Sequence, residues 1–214
     1  MKSKKISAVF PIILILISFI LAFCFYSKIP GNLVATHWGA DGQANGYSSK
    51  FFGLFFMPIL SAIMLVMFLI LPKIDPYKKN FSEFKNYFQN FINIIFVFLF
   101  YLYCLTLLWN LNYRFNMIMF LSPAFALLFY YAGVLTAHAK RNWFVGIRTP
   151  WTMSSPKVWD KTHRLGGKLF KIVSFISLLS LPFPQFALFF IIVPVLIITF
   201  FIFVYSYLEY RKLK

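Results

Sequence analysis

Residues 172–208 read IVSFISLLSLPFPQFALFFIIVPVLIITFFIFVYSYL, a run of 37 residues without a charged side chain. A membrane-spanning helix needs about 20 mainly apolar residues to cross about 30 Å of hydrocarbon. The run is therefore too long for one crossing and long enough for two. Pro182 and Pro184 interrupt it, because proline ends or kinks a helix. Lys171 and Arg211 flank its two ends, so we predict a tight hairpin of two crossings whose ends lie on the same side.

Four further uncharged segments of spanning length come earlier in the chain. They are Ile6–Tyr26, Phe51–Leu71, Phe91–Trp109 and Asn116–Ala137. Of the 214 residues, 61% are hydrophobic and 12% are charged, whereas a soluble domain has about 25% charged residues. The first segment lacks the small-residue cleavage site of a signal peptide, and we expect it to be retained. The fold class predicted is an all-α transmembrane protein, a six-helix bundle.

The positions of the basic residues predict how the bundle is oriented. Eighteen of the 21 Lys and Arg residues lie at the two termini and in segments 72–90 and 138–171, and the other three lie in segments 27–50 and 110–115. Basic residues concentrate on the cytoplasmic side of membrane proteins. We therefore predict a plasma-membrane protein with both termini inside. The net charge of +16 follows from this topology and does not indicate direct binding of nucleic acid.

The same pattern divides the chain into two parts. Residues 1–71 form an N-terminal helix pair joined by an extracytoplasmic loop, 27–50, and residues 72–214 form a four-helix region with a cytoplasmic loop, 138–171, called the basic loop below. In the connection between the two parts, four phenylalanines recur at helical spacing: Phe81, Phe84, Phe88 and Phe91. This spacing predicts an amphipathic lead-in to the third helix that lies in the interface before it turns inward.

The first loop, Ile29–Lys50, reads IPGNLVATHWGADGQANGYSSK. Its glycines indicate turns, and Asn45-Gly46 is a favoured pair for a tight turn. His37 and Trp38 lie between a short apolar run and these turns. They are candidates for contacting a ligand. The alternative is a packing histidine and a tryptophan of the interfacial aromatic belt.

The longest polar stretch, Asn142–Lys168, lies inside the basic loop and reads NWFVGIRTPWTMSSPKVWDKTHRLGGK. It contains three of the five tryptophans. Trp143, Phe144 and Trp151 can anchor the stretch at the depth of the lipid headgroups, and Arg148 can reach a phosphate or the carboxyl end of a helix.

The second half of this stretch predicts a cytoplasmic interfacial helix before the fifth crossing. The pair Ser155-Pro156 is typical of a helix start, and the pair Gly166-Gly167 predicts its end. Asp160 lies four residues before Arg164, the favourable order for a helical ion pair. One face of the helix is basic and comprises Lys157, Lys161 and Arg164. The other comprises Val158, Trp159, Thr162 and Leu165.

Two sets of residues resemble a known family. The run Gly146-Ile147-Arg148-Thr149-Pro150-Trp151-Thr152, followed by Trp159, His163-Arg164 and Gly166-Gly167, closely resembles the signature of the SdpI family of bacterial immunity membrane proteins. The first loop, with Pro30, His37-Trp38, Gly42, Gly46-Tyr47 and Lys50, resembles the short domain of unknown function that opens members of this family. Asn45 departs from the pattern, because many relatives carry an acidic residue there.

The resemblance implies a membrane protein that protects the producing cell against a secreted antibacterial peptide. Some relatives are thought to hold a cytoplasmic transcription repressor at the membrane. The partners implied are membrane lipid, a toxin peptide outside and a repressor inside, with no enzymatic activity, cofactor or metal. The candidate residues for binding peptide or partner are His37, Trp38, Gly42, Gly46, Tyr47, Arg148, Thr149, Pro150, Trp151, Trp159, His163 and Arg164.

A small transporter or exporter is the alternative function. Asn93, Thr106 and Ser122 could line a path through the bundle, although such residues more often hydrogen-bond neighbouring helices. Coupled transporters normally carry ionisable groups at membrane depth, and the predicted spans contain none.

An intramembrane enzyme or metal protein is a third possibility. His138 and His163 could meet Asp160 at the inner surface, but their spacing fits no metal motif. No arrangement of nucleophile, base and acid is evident either. His138 is expected to end the fourth helix, where its ring suits the carbonyl end.

Overall fold

The computed structural model describes residues 6–213 as seven α-helices and one two-stranded sheet. The basic N-terminal tail, with Lys2, Lys4 and Lys5, lies outside the described residues, as does Lys214. In chain order the elements are α1 Val9–Tyr26, β1 Leu33–Trp38, β2 Ala44–Ser49, α2 Lys50–Ile74, α3 Lys78–Asn110, α4 Met117–His138, α5 Pro150–Ser154, α6 Pro156–Ser177 and α7 Ala187–Arg211.

Five helices in the described part of the chain are long and apolar enough to cross a membrane. They are α1, α2, α3, α4 and the stretch Pro184–Arg211 that contains α7. This makes the chain a multi-pass membrane protein. The predicted count of six is not confirmed, because α6 carries charged residues along its first half and does not meet the same criterion. With 22 residues, α6 is nevertheless about 33 Å long.

The prediction of a purely helical chain misses the first loop, which folds into a β-hairpin. Strands β1 and β2 pair antiparallel, from Leu33 opposite Ser49 to Trp38 opposite Ala44. We call residues 33–49 the hairpin. The predicted tight turn at Asn45-Gly46 is wrong, because both residues lie within β2. The chain reverses instead between Gly39 and Gln43, where Gly39 N–H donates to the Gln43 carbonyl at 2.9 Å.

The predicted helix end at Gly166-Gly167 is also wrong, since α6 continues through both glycines to Ser177. The reason is packing against α4. A Cβ on Gly167 would lie 2.7 Å from the Ala137 Cβ and 2.7 Å from the Gly133 carbonyl oxygen. Small residues let membrane helices approach closely. Gly167 therefore serves the contact between α4 and α6 rather than a C-cap, and Gly166 makes room for Ile147 of the basic loop, since a Cβ there would lie 2.4 Å from its Cδ1.

Helices α6 and α7 form an antiparallel helix pair. Two short 3-10 turns, Leu178–Ser180 and Pro184–Phe186, separate them, so the break predicted at the proline pair is confirmed. The two helices meet again at the other end, where Lys161 forms an ion pair with Glu209. Helix α6 begins at Pro156 and not at Ile172, because the predicted interfacial helix and the start of the predicted fifth crossing form one helix.

The predicted lead-in is the first turns of α3, which bends at Phe84, where φ is −119° and ψ is 15°. Phe81, Phe84 and Phe88 are buried, and the rings of Phe81 and Phe88 lie 5.4 Å apart. The aromatic face of the lead-in therefore packs into the protein core and not into the membrane interface.

The buried core has two main parts, one near each end of the bundle. At the basic-loop end, Phe68, Phe88 and Trp159 belong to a cluster that joins α1 to α4 with α6. At the hairpin end, Val34 packs among residues of α1, α2 and α3, including Leu54. The hairpin and the basic loop therefore each pack on a hydrophobic cluster of their own.

Candidate functional site

The hairpin is fastened to the ends of two helices by asparagine side chains. Ala35 N–H donates to Asn110 Oδ1 at 2.8 Å, and Asn110 Nδ2 donates back to the Ala35 carbonyl at 3.1 Å. Asn116 Nδ2 donates to the Asp41 carbonyl at 2.9 Å, next to the start of α4. The hairpin is therefore held as a fixed part of the bundle. Neither asparagine was among the residues singled out from the sequence.

Local packing explains why two candidate residues of the hairpin are glycines. Gly42 takes a φ of +76°, and a Cβ there would lie 2.2 Å from Asn116 Oδ1. Gly46 faces His37 across the sheet, and its Cβ would lie 2.9 Å from the His37 Cβ. The strand register is irregular at this point, as in a β-bulge, where a residue without a side chain is often found.

The other hairpin candidates form its accessible surface. His37 is exposed, and its Nδ1–H donates to Asn45 Oδ1 at 2.6 Å. Because position 45 carries an asparagine and not an acidic residue, the acceptor of this hydrogen bond is neutral. Trp38 is half-buried and packs edge-on against Trp109, with ring centroids 5.9 Å apart. Tyr47 is exposed.

An apolar groove of about 660 Å³ lies beneath the hairpin. Hairpin residues 36–39 and the first turns of α2 border it at one end, and α4 and α7 border it along its length, with Thr106 and Leu102 of α3. Phe52 and Phe56 line it from α2, and no lining residue is Lys, Arg, Asp or Glu. The sequence does not indicate the groove, because its walls come from five separate segments of the chain.

At the opposite end of the bundle, Asn142 organises the start of the basic loop. Its side chain is fully buried. Asn142 Oδ1 accepts the N–H groups of Phe144 and Val145 at 2.9 and 2.6 Å, and its Nδ2 donates to the carbonyls of Lys140 and Val145, both at 2.8 Å. One amide thereby satisfies four backbone groups that the loop would otherwise bury unpaired.

A buried carboxylate joins this loop to the connection between α2 and α3. Asp75 accepts the N–H of Tyr77 at 2.6 Å and the N–H of Trp143 at 2.8 Å. Arg141 stacks over the Tyr77 ring at 4.8 Å, and the Arg141 carbonyl accepts Asn80 Nδ2 at 2.7 Å. These contacts hold the basic loop against the connection between α2 and α3. Sequence reasoning missed Asp75, because its partner is 68 residues away.

His163 is the centre of the basic loop. Its Nδ1–H donates to the Trp159 carbonyl at 2.9 Å, and its Nε2 accepts Ile147 N–H at 2.9 Å. This pair of contacts requires the neutral ring, which has one donor and one acceptor. Burial lowers the pKa of His163 to about 4, against the opposing effect of the Trp159 carbonyl. Gly146, with φ of +105°, lies so close that a Cβ would be 2.4 Å from His163 Nε2.

Trp159 holds the end of α4. Its indole Nε1–H donates to the Ala139 carbonyl at 2.8 Å, and its ring stacks on that of His163 with centroids 3.8 Å apart. Trp159 and His163 are each 1% exposed. Their contacts are internal, and they position the loop against α4.

The two threonines of the run 146–152 cap the short helix α5 and connect it to α7. Thr149 and Thr152 form a reciprocal capping box. The Thr149 hydroxyl also lies 3.0 Å from that of Ser206. Trp151 packs against Phe203 of α7, with ring centroids 5.1 Å apart. The run 146–152 therefore packs the basic loop against α7.

The remaining inner candidates are accessible. Arg148, Pro150 and Arg164 are exposed, and Trp151 is half-buried. Arg148 Nη1 donates to the Trp143 carbonyl, which holds its guanidinium group against the loop.

The basic face of α6 is exposed as predicted, but its predicted ion pair is wrong. Among the ion pairs within residues 6–213, none joins Asp160 to Arg164. Both residues are exposed, and a pair surrounded by water gains little. Lys161 pairs instead with the buried carboxylate of Glu209, which Lys212 also contacts.

Comparison with known proteins adds to this geometry. The SdpI/YfhL protein family model matches residues 138–206, and the model of a domain of unknown function, DUF1648, matches residues 13–62. The chain is 26% identical over 204 residues to Immunity protein SdpI of Bacillus subtilis strain 168, covering 95% of both chains. The resemblance to the SdpI family is confirmed. No solved structure matches the chain.

The two matched regions correspond to the two polar sites. The SdpI region runs from the last residue of α4 through the basic loop and α6 to Ser206. The Thr149–Ser206 hydrogen bond therefore joins the SdpI motif to the last residue of the match. The DUF1648 region contains the whole hairpin and parts of the two helices that flank it.

The residues considered for other functions have internal partners in this chain. Thr106 and Ser122 donate to carbonyls one turn earlier in their own helices, and Asn93 accepts from Gln89 in the same helix. His138 ends α4 and stacks on Tyr87, with ring centroids 3.8 Å apart. No group of three metal-ligating side chains is found in the described part of the chain.

Proposed function

We propose that this chain is an integral membrane immunity protein that protects the cell against a secreted antibacterial peptide. The observation that carries the proposal is the 26% identity to an immunity protein over 95% of both chains. Such coverage includes both polar sites and all the helices between them. The protein acts by binding and not by catalysis.

The hairpin is proposed as the surface that meets the peptide, on the extracytoplasmic side. Only three of the 21 basic residues lie in the two short connections of that side, which supports this orientation. His37 and Tyr47 are exposed on a hairpin that Asn110 and Asn116 hold in place. A surface held in this way loses little conformational entropy when it binds.

The basic loop is proposed as the cytoplasmic surface that docks a transcription repressor. Its accessible candidates are Arg148, Pro150, Trp151 and Arg164. Exposed arginine and tryptophan are residue types enriched in protein interfaces. Thr149, Trp159 and His163 are buried beneath this surface, and they are proposed to position it and not to touch the partner.

Survival of a sensitive bacterial strain tests the proposal. The chain is expressed in that strain, which is then exposed to dilutions of culture supernatant from a peptide-producing strain. We expect the chain to raise the tolerated concentration. His37→Ala is expected to lower protection, while Gln43→Ala, at the exposed turn of the same hairpin, is expected to preserve it.

Equal membrane levels of all variants are verified by immunoblot. An unchanged sensitivity of the strain that expresses the intact chain would reject the immunity function. Full protection by both His37→Ala and Arg148→Ala would remove these two residues from the proposed surfaces and leave the function standing.

A further inference from the structure

We propose that the groove beneath the hairpin binds an uncharged, apolar helical segment of a peptide that enters from the hairpin side of the membrane. This rests on the proposed function, which makes a peptide the molecule to be bound, and it assigns that peptide a site and a chemistry. Nothing in the family comparisons assigns a ligand to the groove.

The lining selects an uncharged occupant. The walls contain no Lys, Arg, Asp or Glu, so a charged side chain in the groove would lose its hydration without gaining an ion partner. Apolar side chains such as Phe56, Ile192 and Leu121 form most of the surface. The volume of about 660 Å³ falls within the range of ligand pockets.

The depth of the groove favours a helix. Its lining on α4 extends from Met117 to Phe129, which corresponds to about 18 Å along the helix axis. This is roughly half of the 30 Å hydrocarbon thickness. A segment at that depth must satisfy its own backbone hydrogen bonds, and a helix does so. About 12 residues of an inserted helix would cover the groove.

The hairpin end of the groove favours a peptide over a phospholipid. A phosphate is bound most strongly by a cation, and the lining supplies none. The hairpin borders the end where a headgroup would lie, through residues 36–39. His37 leaves Nε2 without a partner among the described residues while Asn45 holds Nδ1, so one polar group at the end of a peptide can bind there.

Photo-crosslinking on the full chain tests this site. The purified protein is placed in vesicles of phosphatidylethanolamine and phosphatidylglycerol, with benzoylphenylalanine in place of Phe56 or of Phe189. Phe56 lines the groove and is 43% exposed, whereas Phe189 lies next to the lining residue Leu188, does not line the groove and is 58% exposed. The probe is a biotinylated 18-residue Leu/Ala helical peptide, and the control peptide carries two central lysines.

We expect the apolar peptide to label position 56 about tenfold more than position 189, a ratio equivalent to about 1.4 kcal/mol. The lysine-bearing peptide should label both positions at the lower level. Ile192→Trp fills the groove and should bring labelling at position 56 down to that of position 189. Ile63→Trp, the same change on a side chain that is 62% exposed and outside the groove, should leave it unchanged.

Equal labelling at the two positions, labelling insensitive to Ile192→Trp, or crosslinks to lipid alone would overturn the proposal. Leu121→Trp serves as a second filling variant if Ile192→Trp does not purify as a folded protein. The assay does not depend on immunity. A chain that protects cells but shows no groove labelling would overturn the groove alone. A labelled groove in a chain that gives no protection would overturn the proposed function alone.

Discussion

Acidification should destabilise the protein through His163. Its ring is neutral in the folded state, where Nε2 accepts Ile147 N–H, and burial lowers its pKa from 6.5 to about 4. Between these two values the unfolded chain binds a proton that the folded chain does not. His163 therefore contributes its full stability above pH 6.5, and that contribution is lost as the pH falls towards 4.

The size of the effect follows from the two pKa values. One pKa unit corresponds to about 1.4 kcal/mol, so lowering the pH from 7.5 to 5 should cost about 2 kcal/mol of unfolding free energy. Stopping at pH 5 keeps most carboxylates ionised. Thermal unfolding in detergent at pH 7.5 and pH 5, followed by tryptophan fluorescence, measures the change.

Two histidine variants isolate the contribution. His163→Gln removes the titrating group and should have a lower melting temperature at pH 7.5 but a much smaller loss on acidification. His138→Gln, which changes an exposed ring at the end of α4, should retain the pH dependence of the parent chain. The reasoning is refuted if the parent and His163→Gln lose the same stability between pH 7.5 and pH 5.

Three substitutions test other parts of the structure. Gly146→Ala should lower the melting temperature more than Gly31→Ala, because both glycines have positive φ but only Gly146 has a neighbour, His163, within 4 Å; equal shifts would contradict the close packing. Asp75→Ala should cost about 1–3 kcal/mol, because it leaves two partly buried backbone N–H groups without their acceptor; unfolding measures the loss, and a neutral result would reject its role between the basic loop and the α2–α3 connection. Asn110→Leu should speed hydrogen exchange of hairpin amides, because it removes both bonds to Ala35; unchanged exchange would show that the hairpin is held otherwise.

The sequence predicts the membrane-spanning helices well, because their signal lies in continuous local composition. Segments Phe51–Leu71 and Asn116–Ala137 correspond closely to α2 and α4, and the break at Pro182 and Pro184 is found between α6 and α7. An uncharged run of spanning length has few alternatives to a helix in a membrane. These features needed no information about distant residues.

Glycines misled the prediction where their role depends on a neighbour. Asn45-Gly46 has the composition of a tight turn, yet Gly46 lies within β2 opposite His37. Gly166-Gly167 has the composition of a helix end, yet Gly167 packs on Gly133 of α4. A glycine allows both a special backbone conformation and a close approach, and local sequence does not distinguish the two.

The sequence predicts where the two polar sites lie, but it does not predict which of their residues make internal contacts. The sequence named Thr149, Trp159 and His163 as binding candidates, and the structure shows that each is buried and bonded within the protein. Their partners are as far along the chain as Ser206, 57 residues from Thr149. Pairs of that separation are set by tertiary structure, so a single sequence could identify the motif without its contacts.

Labelling from one side of the membrane tests the central claim, that the hairpin lies outside the cell and the basic loop inside. Cys24 and Cys104 are first replaced by alanine, and a single cysteine then replaces Tyr47 or Arg148, both of which are exposed. In intact cells, a membrane-impermeant maleimide should label the cysteine at position 47 at once and the cysteine at position 148 only after permeabilisation. Labelling of position 148 in intact cells, with position 47 protected until permeabilisation, would contradict the account.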